Sequence, residues 1–162
     1  MSKYLRSVPI RALMIGIAAG MRSQIPGAVL AWRQDDAPFY ASWRRWPVLR
    51  SVWGRRVLML SAAGEVIADK TSAVPPRTKP GPLFGRMLFG GIAGAAIGSE
   101  RRGKGPLVRG ALLGVLGGLI GSYGGMRARA SVAQITGLPD QVVAVFEDVA
   151  AVSIANRAIT KR

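Results

Sequence analysis

The sequence predicts an all-α fold, an integral membrane bundle of about five short Gly-rich helices, the first helix broken and the second short enough to be half-crossing. Three observations carry that expectation. Hydrophobic residues make up 49% of the 162-residue chain and charged residues 19%, and the mean hydropathy is still +0.25, because the apolar residues form runs and the charges gather at their ends. Glycines recur every fourth residue in the second half of the chain, as at Gly90, Gly94 and Gly98 and at Gly110, Gly114 and Gly118. The stretch 33–56 mixes Trp with Arg, the composition of a segment lying in the headgroup layer.

The length fits one domain, 1–162. The formal charge is +15, yet the basic residues fall between apolar runs rather than along one face. An anionic membrane surface selects that pattern, so the lipid bilayer is the expected partner and nucleic acid is not. The chain has no Cys and no His, which removes disulfides, thiol chemistry and histidine acid–base work. No haem, flavin or zinc site is expected. A metal would have to be a hard cation such as Mg²⁺, held by oxygen ligands.

Lys3 and Arg6 precede the apolar run Arg11 to Gly20, as in the start of a signal peptide. Apolar sequence resumes at Ile25 to Trp32, so a span over 8–32 is expected instead of a cleaved leader. Arg22-Ser23-Gln24-Ile25-Pro26-Gly27 interrupts it. Proline lacks a backbone donor and glycine loosens a helix, so a break is expected there. Such a break is tolerated at depth only against protein or a wet cavity.

Segment 33–56 carries Trp43, Trp46 and Trp53 among Arg44, Arg45, Arg50, Arg55 and Arg56. The apolar run from Val57 then leads into Glu65 and Asp69, one helical turn apart on one face. It stops at Lys70, short of the roughly 20 residues a crossing needs. A stiff basic loop follows, with Pro75, Pro76, Arg77, Lys79 and Pro80.

Residues 82–126 read as a Gly-rich helical hairpin turning at 99–105. In lipid, glycine every fourth residue lets helix backbones approach closely, whereas in water each glycine costs a helix about 1 kcal/mol. Those Gly faces are the expected contact of a homo-oligomer. Asp140 is placed to cap the last segment, Gln141 to Ile159, which is apolar apart from Glu147, Asp148, Ser153, Asn156 and Arg157.

Charges in apolar segments are costly in a bilayer and should face inward and meet one another. Arg22, Arg86, Glu65, Asp69, Glu147 and Asp148 are such charges. The expected cavity is lined by Arg22, Glu65, Asp69, Arg77, Lys79, Glu147 and Asp148, with Glu65 and Asp69 as the candidate Mg²⁺ ligands. Internal pairing alone, for example Arg22 with Asp69, is the structural alternative.

Gly20-Met21-Arg22-Ser23, Gly64-Glu65, Ala68-Asp69-Lys70, Pro76-Arg77-Thr78 and Leu138-Pro139-Asp140 through Phe146-Glu147-Asp148 together resemble the small membrane family catalogued as domain of unknown function four-one-two-six. That resemblance implies several Gly-rich spanning helices and no particular activity. Ala68-Asp69-Lys70-Thr71 with Val74-Pro75-Pro76-Arg77-Thr78 is also similar to the phytyl-phosphate kinase family, which implies nucleotide-dependent work on isoprenoid phosphates. Arg77 stands where that family has Gly. The expected location is the cytoplasmic (inner) membrane, multi-pass. The expected role is transport or conduction of a small ion or solute through an acid-lined cavity, with a Mg²⁺-dependent lipid-phosphate enzyme or a membrane scaffold as alternatives.

Overall fold

The structure, a computed structural model, describes residues 7–37, 39, 41–68 and 79–159. Asp69 and Arg77 therefore lie outside the described residues. Seven α-helices and two short 3₁₀ turns make up the described chain, with no strand among them: α1 (Val8–Met21), α2 (Ile25–Trp32), α3 (Pro47–Arg50), α4 (Val52–Ala68), α5 (Pro80–Gly98), α6 (Lys104–Thr136) and α7 (Asp140–Ile159). The expected all-α class is present. Among the described residues one helix, α6, is long and apolar enough to cross a membrane.

The break in the first helix falls at Arg22-Ser23-Gln24. Pro26 occupies the first turn of α2, where its missing donor costs nothing, so a residue that would disrupt a continuous helix instead opens a new one. The acid-bearing helix starts earlier than the apolar pattern suggests. It takes in Val52 to Arg56 from the Trp/Arg segment, so that segment is part irregular and part helical.

The bundle is built around α6, which packs on α5 and on α1, and those two helices also pack on each other. Glycine makes both contacts. A Cβ on Gly114 would fall inside 3.0 Å of backbone atoms of Gly90, and one on Gly94 would strike Gly110. On the adjoining strip of the same helix, Gly117 lies against Leu13 and Gly16, and Gly121 against Ile17. Only residues without a side chain let three backbones approach this closely. These glycine faces are used within the chain, between its own helices. The helix α7 lies along α1 and α2, and α4 along α2. Gly137, in the left-handed conformation at φ 65°, ends α6 and turns the chain into α7.

The core is mostly apolar, but it also encloses charges, while several helices carry large apolar residues on their outer faces. Arg22 is 0% exposed and Arg11 1%, whereas Leu112 on α6 is 65% exposed. Outward stripes run along Phe84, Leu88 and Ile92 of α5, Leu112, Leu116 and Ile120 of α6, and Val142, Phe146 and Val149 of α7. Charged residues are almost never fully buried in soluble proteins unless paired, and contiguous apolar faces mark a contact with something apolar.

Candidate functional site

Breaking a helix inside a bundle leaves carbonyls at the end of the first piece and amides at the start of the second without helical partners. The chain fills both needs with charges of opposite sign. Arg86, on α5, donates from Nη1 to the carbonyls of Gly20 at 2.8 Å and Met21 at 2.7 Å, closing α1. Glu65, on α4, accepts from the amides of Ser23 at 2.9 Å and Gln24 at 2.8 Å and from the Ser23 hydroxyl at 2.7 Å, opening α2. A cation at a helix C-terminus and an anion at an N-terminus also suit the helix dipoles. The two side chains meet, with Arg86 Nη2 3.7 Å from Glu65 Oε1.

The last helix reaches the same place. Arg22, within the break, donates through Nε to Asp148. One residue earlier, Glu147 lies 3.6 Å from Arg129 of α6, and Arg129 also binds Asp140 at 2.5 and 2.7 Å. Ser122, fully buried, donates to the Gly118 carbonyl at 2.7 Å and sits 3.3 Å from the carbonyl of Gly20. An apolar cavity of about 200 Å³ abuts this cluster, lined by Met21, Val132, Val143, Phe146, Arg129 and Glu147.

Arg22, Glu65, Glu147 and Asp148 are thus gathered around one helix break. Lys79 is exposed at the residue preceding α5, and no described contact joins it to them. Asp148 is a partner of Arg22; Asp69, the partner expected from sequence, lies outside the described residues. Glu65 commits both carboxylate oxygens to the start of α2, and no group of three or more Asp or Glu among the described residues could hold a metal ion.

Arg129, Ser23 and Gln24 also belong to the cluster, and nothing in their sequence spacing marks them as site residues, whereas Arg86 stands out in the sequence as a charge within an apolar segment. The signal for Arg86 was present, as the one cation inside the Gly-rich stretch 83–98. A second buried assembly had no such signal. Arg11 binds Glu100 at 2.5 and 3.0 Å and the carbonyls of Ala158 at 2.5 Å and Ile159 at 3.1 Å. One guanidinium therefore ties α1 to the α5–α6 turn and to the end of α7. Glu100 lies in a run of charges that reads as a solvated loop, yet it is 4% exposed.

Comparison with known proteins finds no matching family model, characterised protein or solved structure.

Proposed function

We propose that the chain is a multi-pass protein of the cytoplasmic membrane whose helix-break cluster carries a small ion or solute across the bilayer. The observation that supports this reading is the break itself, held between opposite charges inside a bundle with apolar outer faces. Broken helices at the bilayer midplane form the binding sites of many transporters, where helix ends face the substrate. Here the chain's own side chains take those places. Glu65 stands where an anion would meet the start of α2, and Arg86 where a cation would meet the end of α1. A travelling ion would bind by displacing one of them, so binding would loosen the contacts between helices. The cavity beside Phe146 and Glu147 offers a route from the flank of the bundle to Met21 at the break.

Flux in proteoliposomes tests this reading. Purified protein should pass protons or a small ion, and Glu147→Gln and Asp148→Asn should each reduce the rate at least tenfold while the fold survives. Absence of flux in the unaltered protein would overturn it.

One observation favours a scaffold as the second reading. The three described acids at the break, Glu65, Glu147 and Asp148, are matched by Arg86, Arg129 and Arg22. Buried pairs of that kind hold helices in register. On this reading the same two substitutions lower the unfolding temperature and change no flux. The lipid-phosphate enzyme reading rests on Asp69, Arg77 and Lys79, and magnesium-dependent nucleotide binding lost in Asp69→Asn would support it.

A further inference from the structure

The segment between α2 and α4 builds a second feature, away from the helix break. Trp46 and α3 fold across α2, α4 and α5, leaving an apolar cavity of about 350 Å³ lined by Gly27, Leu30, Trp46, Leu58, Phe89 and Ala93. That volume lies within the range of small-molecule sites, roughly 300–1,000 Å³. Its walls are almost wholly carbon. Gly27 supplies part of the space, since a Cβ there would already press on Leu58 at 3.3 Å.

Pro47 lines this cavity and also a second, open basin of about 340 Å³ formed with Arg45, Arg50 and Ser51. Arg45 and Arg50 are exposed, and neither has an acidic partner among the described residues. The neighbouring arginines are employed differently. Arg55 binds Gln34 and the Leu49 carbonyl, fixing α3, and Arg44 lies over the Phe39 ring and binds the Ala37 carbonyl. Exposed Trp53, with Arg56 over its ring, and exposed Trp32, with Arg33 over its ring, place this end of the bundle at headgroup level on the membrane reading.

We infer that this cavity and the basin beside it, which share Pro47 in their walls, hold one anionic phospholipid, with one of its two acyl chains in the slot between α2, α4 and α5, the other along the outer face of the bundle, and its phosphate between Arg45 and Arg50. The occupant follows from charge complementarity. A carbon-lined slot takes a hydrocarbon chain, and two exposed guanidiniums in the adjacent basin, on the other side of Pro47, take a phosphate through charge-assisted hydrogen bonds. A neutral apolar molecule would make no use of the arginines, and a soluble phosphate would make none of the slot. The inference rests on the membrane reading above.

Native mass spectrometry of the full chain in detergent tests it, with dioleoyl phosphatidylglycerol and dioleoyl phosphatidylcholine added separately. The expected result is one phosphatidylglycerol retained per chain, at least tenfold in preference to phosphatidylcholine. Arg45→Gln with Arg50→Gln, both at exposed positions, should weaken retention roughly thirtyfold, since each basic residue near an anionic lipid contributes about 1 kcal/mol and a factor of ten is about 1.4 kcal/mol. Gly27→Leu should fill the slot and abolish retention of both lipids. Equal retention of the two lipids, or retention unchanged in the arginine variant, would mean loosely associated lipid only and would overturn the proposal. So would displacement of the lipid by glycerol 1-phosphate at matched concentration. Alkaline carbonate extraction of the native membranes separates the two failures. Release into the supernatant overturns the membrane reading and this site with it, whereas a chain that stays in the pellet without selective retention overturns the lipid site alone.

Discussion

Glu65 and Arg86 face each other at 3.7 Å across the gap in the first helix, one holding the amides that open α2 and the other the carbonyls that close α1. The pair therefore does more than cancel two buried charges. It supplies the hydrogen bonds that the missing turn of helix would have made, from two other helices. The break is thereby tied to α4 and α5, and a movement of either helix would be felt at Arg22.

Removing one member of the pair should cost more than one ordinary ion pair. Glu65→Gln leaves Arg86 buried beside an uncharged amide and weakens the start of α2, a loss of about 3 kcal/mol for a broken buried pair. Arg86→Met should cost as much. The double variant should fall short of the sum by between about 0.5 and 3 kcal/mol, because both changes remove the same interaction. Unfolding of the three variants in detergent micelles measures this. Strict additivity would show that the two residues act independently.

The position of the break was legible in the sequence, and its partners were not. Pro26 and Gly27 after a polar triplet mark an interruption wherever they occur. Which side chains satisfy it depends on helices that begin only at Val52 and Pro80, and no periodicity records that. The same limit applies to the glycines. Their four-residue spacing says that a backbone comes close, but not whose backbone it is. The described glycine faces meet other helices of the same chain. Arg11 and Glu100 were obscured by composition. One looked like a charge at the flank of a span and the other like part of a wet loop, and only the fold brings them to 2.5 Å.

The glycine seam should tolerate no side chain on α6. Gly114→Ala would press a methyl group into the backbone of Gly90 and should destabilise the fold by about 3 kcal/mol, the upper end of overpacking costs. Gly124, on the same helix, has open space around it. There alanine should stabilise by roughly 0.5–1 kcal/mol through helix propensity. Equal effects at the two sites would show that the seam is not closely packed.

Arg11 makes a prediction about the far end of the chain. Arg11→Ala removes the donors from the carbonyls of Ala158 and Ile159 and leaves Glu100 buried without its partner, at a cost of about 3–5 kcal/mol. Hydrogen exchange should then quicken over the last turns of α7 before it does so in α5. Replacing both charges, Arg11→Met with Glu100→Leu, should recover most of the global stability while the end of α7 still exchanges faster. If exchange in α7 stays unchanged in either variant, Arg11 does not hold that helix end.

The outer faces decide whether lipid or water surrounds the bundle. Leu116 points outward from the middle of α6, 48% exposed. In water, replacing an exposed leucine with arginine changes stability by no more than about 0.5 kcal/mol. At the centre of a bilayer the same change costs about 2.5–3.5 kcal/mol on insertion scales. Leu116→Arg should therefore sharply reduce the amount of chain recovered in the membrane fraction. Arg109→Leu, near the start of the same helix, should leave it unchanged or raise it. The difference comes from depth rather than from packing, since Leu116 and its outward neighbours Leu112 and Ile120 face away from the glycine seam. A Leu116→Arg variant recovered in full from the membrane fraction would place α6 outside the bilayer, and the transport reading would fall with it.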